Sequence, residues 1–134
     1  MSESTLLMIK PDAVERNLIG KIIDRLETAG FVVAELRLVR LRREDGERFY
    51  QVHAKRPFFY ELVEFISSGP VVAMKLEKDN AVSDLRDLIG ATNPAEANCG
   101  TIRQCYALSL TRNSVHASDS PENARTETAF FFPE

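Results

Sequence analysis

Cysteine is scarce in this chain of 134 residues, limited to Cys99 and Cys105. The pair falls outside C-x-x-C spacing, and no histidines are placed to complete a zinc site, so both read as reduced thiols of a cytoplasmic protein, with pairing across a subunit interface as the alternative. Long apolar runs are also missing. None approaches the roughly 20 residues that a membrane-spanning helix requires. The first residues, Met1-Ser2-Glu3-Ser4-Thr5, are acidic and polar, unlike a secretory or basic transit signal. There is no excess of basic charge: the formal net charge is −3, which argues against a nonspecific nucleic-acid coat. The common phosphate loops and catalytic signatures are absent too. Gly20-Lys21 lacks an upstream glycine and is followed by Ile22, so it is no P-loop, and neither G-x-G-x-x-G, G-x-S-x-G nor H-E-x-x-H occurs.

What is present is ordinary in amount: 44% apolar and 28% charged residues, without linker, repeat or low-complexity tract. This predicts a single domain over residues 1–134 that buries about two-thirds of its unfolded surface. Thr5 to Ile9 reads as a buried strand ended by Lys10-Pro11. Leu18, Ile22, Ile23 and Leu26 recur at helical spacing up to Gly30. Val32 to Leu41 reads as a second strand, with Ala34, Leu36 and Leu38 alternating against Glu35 and Arg37. A short helix over Glu44 to Val52 follows. Pro57 then opens another helix, with Phe58, Leu62, Phe65 and Ile66 on its inner face. Val71 to Leu76 is a third strand, and Asp79 or Asn80 caps a helix that Gly90 ends. Residues 91–112 read as a long loop, which in a compact domain is usually functional. A last strand around Ser114 to His116 feeds a helix from Pro121 to about Phe131. The order is that of an α+β domain, and a βαββαβ arrangement fits it best.

The residues most suggestive of chemistry surround His116. The imidazole precedes a strong helix start, with Ser120 as N-cap, Pro121 at the first helical position and Glu122 after it. Such a start attracts phosphate, and a neutral imidazole there can attack a phosphoryl group. Lys10, Arg86 and Arg103 add cations suited to phosphate oxygens, with Thr92 as a hydroxyl donor. Each taken alone reads as a surface charge, so their significance depends on converging at His116. His53 lacks a comparable setting and reads as surface or packing. Phe58 and Phe59 are most simply core aromatics, though one ring at a pocket mouth could stack a base.

Six segments together resemble the nucleoside diphosphate kinase family over essentially the whole chain. They are Met8-Ile9-Lys10-Pro11-Asp12-Ala13, Arg56-Pro57-Phe58-Phe59, Ser68-Gly69-Pro70-Val71, Gly90-Ala91-Thr92-Asn93-Pro94, Gly100-Thr101-Ile102-Arg103 and Asn113-Ser114-Val115-His116-Ala117-Ser118-Asp119-Ser120. The resemblance implies a ferredoxin-like βαββαβ fold whose antiparallel four-stranded sheet is covered by helices. It implies ping-pong transfer of the γ-phosphate of a nucleoside triphosphate, typically ATP, to a nucleoside diphosphate through a phosphohistidine at His116. Lys10, Tyr50, Arg86, Thr92, Arg103 and Asn113 would hold phosphates and ribose, with Lys10 and Tyr50 close to the transferred group. Phe58 would stack on the base, and the Glu127 carboxylate would hold the far nitrogen of the histidine. Mg²⁺ would ride on the nucleotide phosphates, with no protein metal site. A cytoplasmic homo-oligomer, tetramer or hexamer with a dimer as the alternative, is implied, with no membrane and no specific nucleic-acid partner.

Three departures from the family pattern stand out. Ala117 replaces the usual glycine after the histidine. Cys105 stands where an acidic residue usually follows the loop arginine, placing a loop salt bridge or subunit contact in question. The chain also stops at Glu134, soon after the last expected helix. Two other readings compete with an active kinase. A non-catalytic binding module would need exposed aromatics on the sheet and a basic surface, against which the alternating apolar strands and acidic charge speak. A degenerate scaffold is opposed by the intact set of candidate residues.

Overall fold

The computed structural model describes residues 3–91, 93–106 and 114–133. Strand β1 (Glu3–Ile9) is the centre of the fold. Its run of apolar residues serves both faces of the sheet: Leu7 and Ile9 belong to one buried cluster, Leu6 and Met8 to the other. β1 ends where Pro11 opens a short helix, α1 (Pro11–Glu15), which the sequence pattern did not announce. Helix α2 (Ile19–Thr28) buries Ile22 and Leu26, one turn apart as the periodicity required. Strand β2 (Val32–Arg40), helix α3 (Arg43–Phe49), a 3₁₀ turn at Gln51–His53 and helix α4 (Phe59–Ile66) follow. Then come strand β3 (Pro70–Lys78), helix α5 (Ala81–Ile89), a 3₁₀ turn at Pro94–Glu96 and helix α6 (Ile102–Tyr106). Strand β4 (Val115–Ala117) and helix α7 (Pro121–Phe131) complete the described chain. The expected loop over 91–112 therefore contains helical structure among its described residues.

The sheet is antiparallel throughout, in the order β2-β3-β1-β4. This is the ferredoxin-like α+β arrangement. On one face α2 and α5 supply Leu26, Leu85 and Ile89 against Leu7 and Met74; on the other α4 and α7 supply Val63, Ile66 and Phe131 against Met8 and Ala73. No helix among the described residues is long and apolar enough to cross a membrane.

Two local expectations are revised. In α4 the ring turned inward is Phe59, whereas Phe58 caps the helix and is 41% exposed. β2 shows the alternation in its sequence but not in its burial. It is an edge strand with a register irregularity between Val33 and Glu35, and Val32, Leu36 and Leu38 remain exposed. A strand paired on only one side, without a full helical cover, keeps its apolar side chains in solvent.

Gly90 ends α5 with φ +88°, a left-handed conformation that L side chains rarely adopt. A Cβ there would come 2.5 Å from Thr101 Oγ1 and 2.8 Å from Thr101 Cβ. Strain and overlap act together, so Gly90→Ala should lower unfolding free energy by about 2–4 kcal/mol. Urea unfolding followed by circular dichroism measures this, and a loss below about 0.5 kcal/mol would contradict the strain argument.

Candidate active site

The site begins with the pleat of β4. Its middle residue, His116, lies opposite Met8, while Val115 and Ala117 pair with Ile9 and Leu7. Alternation therefore sends Val115 and Ala117 into one core and leaves His116 on the other face. α7 packs on that same face and returns along it. Its start is set by Ser120, whose Oγ accepts from the Asn123 backbone N–H at 3.1 Å, with Pro121 at the first helical position.

The reversal between β4 and α7 places Glu127 over His116. His116 Nε2 lies 2.8 Å from Glu127 Oε1, and Ser118 Oγ donates to the same oxygen at 2.7 Å. A carboxylate accepts, so the Nε2 proton points to Glu127 and the Nδ1 lone pair is left for chemistry. Aromatic edges fix the ring. Phe49 stands T-shaped to His116 at 5.2 Å between centroids, and Tyr50 at 6.3 Å. Neither Ser118 nor Phe49 carries a distinctive signal of its own in the sequence. Ser118 was visible only as a hydroxyl among several near the histidine, and Phe49 as one more apolar residue of α3.

The candidate cations converge electrostatically. Lys10 is 5% exposed and directly follows β1; burial first, then Arg103, brings its pKa down to about 8, with Asp12 opposing. Arg103 is 4% exposed, and burial followed by repulsion from Arg86 lowers it to about 10, with Tyr50 opposing. Its guanidinium donates to Gly90 O at 3.0 Å and Val115 O at 2.9 Å, linking the end of α5 to β4. Arg103 Nε is buried without a hydrogen-bond partner among the described residues. Arg86 is exposed on α5 and donates to the Ala117 carbonyl at 3.4 Å. It lines two open clefts of about 390 and 350 Å³ that share Arg86 and Asp87. Like charges brought together under burial form a site that an anion would relieve.

Tyr50 is buried, and desolvation, followed by the negative charge of Glu127, pushes its hydroxyl well above the usual phenol range. It stays a neutral donor. Farther out, His53 sits between Tyr50 (6.4 Å) and the exposed Phe58 (5.6 Å), with its ring tilted to both, so it is a packing residue that connects that ring to the site wall. Thr92 and Asn113 lie outside the described residues. Among the described residues no group of three or more His, Cys, Asp or Glu is placed to hold a metal ion.

His116 with Glu127 at its Nε2, Arg103 and Arg86 bonded to the carbonyls of its neighbours Val115 and Ala117, and Lys10 at the end of the adjoining strand form a centre suited to an anionic group. Comparison with known proteins gives this chemistry a family. The model of the nucleoside diphosphate kinase family matches residues 3–134. The nucleoside diphosphate kinase of Campylobacter fetus is 58% identical over 130 residues, covering 97% of this chain and 95% of its own. That of Wolinella succinogenes is likewise 58% identical over 97% of this chain and 95% of its own. The Aquifex aeolicus enzyme structure superposes with a TM-score of 0.97 at 45% identity, covering 98% of this chain and 96% of that one. A halophilic enzyme from Halobacterium salinarum, in complex with CDP, gives 0.96 at 41% identity over 100% of this chain and 90% of that one. The chain belongs to the nucleoside diphosphate kinase family.

Proposed function

We propose that the enzyme transfers the γ-phosphate of a nucleoside triphosphate to a nucleoside diphosphate in two half-reactions, through a phosphohistidine at His116. The contact of His116 Nε2 with Glu127 carries this reading, because it leaves Nδ1 as the nucleophile. In the first half-reaction the Nδ1 lone pair forms an N–P bond to the γ-phosphorus. The bond from that phosphorus to the bridging oxygen breaks, and the nucleoside diphosphate leaves with the electron pair. The Nε2 proton stays on the Glu127 side, which stabilises the cationic ring. In the second half-reaction a terminal oxygen of a new nucleoside diphosphate attacks the phosphorus and restores the imidazole.

Transfer of this kind needs mainly positioning and charge stabilisation. Lys10, Arg103 and Arg86 meet the phosphate oxygens, and the neutral Tyr50 hydroxyl donates beside the transferred group. Thr92 and Asn113 would add donors to phosphate and ribose. Phe58, exposed at the outer end of the aromatic row, offers its face to a base without reading its edges. Mg²⁺ bound to the incoming nucleotide supplies further neutralisation of the phosphate charge. The cationic donors here fit phosphates better than a bare dication, so the metal arrives with its nucleotide.

The working form is a cytoplasmic homo-oligomer in which a second copy covers the β2 edge. Val32, Leu36 and Leu38 are 59%, 48% and 62% exposed on a strand paired only with β3.

Three outcomes are expected. Incubation with γ-labelled ATP and Mg²⁺ should place acid-labile, alkali-stable label on His116. His116→Ala should abolish transfer but still bind nucleotide, because the cations persist; a folded wild-type protein that takes no label would refute the mechanism. The second outcome concerns pH. Lys10 is charged below pH 8 and neutral above it, so kcat/KM should fall up to about tenfold per pH unit above roughly 8. The same group affects stability in the opposite direction. Its folded pKa lies below its unfolded value, so its contribution makes the free protein more stable as pH rises from about 8 to 10.5. Calorimetry in buffers of different ionisation enthalpy at pH 8 should show proton uptake on nucleotide binding, which Lys10→Met removes. Third, Leu38→Glu should shift light-scattering mass toward smaller species; an unchanged mass would place the subunit contact elsewhere.

A further inference from the structure

The three cations and the histidine come from separate stretches of chain, and one side chain outside the phosphate-binding set ties most of those stretches together. Arg16 caps the C-terminal end of α1, six residues after Lys10. Its Nε donates to the Asp12 carbonyl at 3.1 Å and its NH2 approaches Asp12 Oδ2 at 3.4 Å. The same NH2 donates to the Tyr106 carbonyl at 2.6 Å and lies 3.2 Å from Ser114 Oγ. Tyr106 ends α6, which carries Arg103, and Ser114 precedes β4, which carries His116.

The joint is reinforced from below. The Asp12 side chain is 1% exposed, and its Oδ2 also accepts from the Ser114 backbone N–H at 3.1 Å. The backbone N–H of Lys10 donates to the Ser114 carbonyl at 2.9 Å. Ser114 is thus held through its N–H, its carbonyl and its hydroxyl. It has φ +73°, a left-handed conformation that a serine keeps only when its surroundings impose it. Two residues later the chain presents His116.

We infer that Arg16 is a positioning residue for phosphoryl transfer: it braces α1, α6 and the entry to β4 so that Lys10, Arg103 and His116 meet the same phosphate. Its planar fork suits this task, since it can serve several acceptors in fixed directions where an ammonium serves them as a point charge. Its bonds go to Asp12, Tyr106 and Ser114, so its effect on the site passes through the elements it joins. Asp12 is its anchor, placing one buried carboxylate between Arg16 and the Ser114 turn. Cations misplaced by about 1 Å can slow a positioned reaction on the order of a hundredfold.

The inference rests on the phosphohistidine reading above, and single-turnover labelling separates the two. Wild-type protein and Arg16→Ala are mixed with γ-labelled ATP and Mg²⁺ over a range of ATP concentrations. The label on His116 is followed in time, giving an amplitude and a limiting rate. A bracing role predicts a full amplitude in Arg16→Ala, with a limiting rate about tenfold or more below wild type and a half-saturating ATP concentration raised severalfold. A purely structural role predicts reduced amplitude, as some molecules fail to fold, with the wild-type rate in those that label; that result overturns the inference. Arg16→Lys keeps a cation over Asp12 and carries the test if the alanine variant does not fold. A limiting rate at least about threefold below wild type supports bracing, and a wild-type rate refutes it. No label on the wild-type protein would instead overturn the phosphohistidine reading itself.

Discussion

Burial of β1 on both faces is the constraint from which the site follows. Leu6 and Met8 fill one core and Leu7 and Ile9 the other, so the strand must lie inside the sheet with helices over both faces. Its neighbours inherit its register. Met8 opposite His116 decides which face the imidazole takes, and the helix on that face, α7, is the one that brings Glu127. The residue that follows the strand is Lys10. A short apolar segment thereby fixes the face that His116 takes, that of the carboxylate that holds it, and the place of the buried Lys10.

The cations are more informative about ligand than about stability. Lys10 and Arg103 are both buried and both depressed in pKa by burial and by a like-charged neighbour. A fold selected for stability alone gains little by placing them there, since burial strips both charges of hydration. The depression of Lys10 to about 8 corresponds to roughly 3 kcal/mol held against the folded state. A phosphate bound between them, as proposed above, would turn that repulsion into attraction. Carbonyl bonds from Arg103 to Gly90 and Val115 keep its fork from moving away from Lys10 when no ligand is bound. Backbone contacts preorganise Arg103 for the proposed substrate.

How much of this could be read from the chain depends on the range of the interaction. Ser120-Pro121 announced α7, and Leu18, Ile22 and Leu26 announced α2, because caps and helical periods are local. The role of β2 was not readable in the same way. Its alternation is real, but burial depends on what lies over the strand, and the edge position of β2 is a property of the whole sheet. Within the site, His116 stood out by its polar neighbours, and the cations became meaningful only through a family pattern. The contact with Glu127 joins residues on different elements, and it needs the turn at Asp119-Ser120 to fold the chain back. Asp12 and Arg16 are harder still. In sequence they are an ordinary charged pair four residues apart, and their role appears only once Tyr106 and Ser114 arrive from the other end of the chain.

The same distinction between local and long-range explains the two departures within the site region. Ala117 follows the nucleophile directly, where an added methyl could crowd a phosphate. The strand turns that methyl away: Ala117 is 3% exposed, opposite Leu7 and among the core residues on the face away from His116. Arg86 reaches the Ala117 carbonyl, which a glycine would offer equally. Cys105 is different, because it lies at the surface of α6. Arg25 of α2, which an acidic residue there could have paired with, instead donates to the Gly100 carbonyl and lies 3.9 Å from Cys105 Sγ. The contact between α2 and the segment before α6 is therefore retained through backbone. An exposed ion pair contributes little, so losing it leaves Arg103, on the buried side of the same helix, in place.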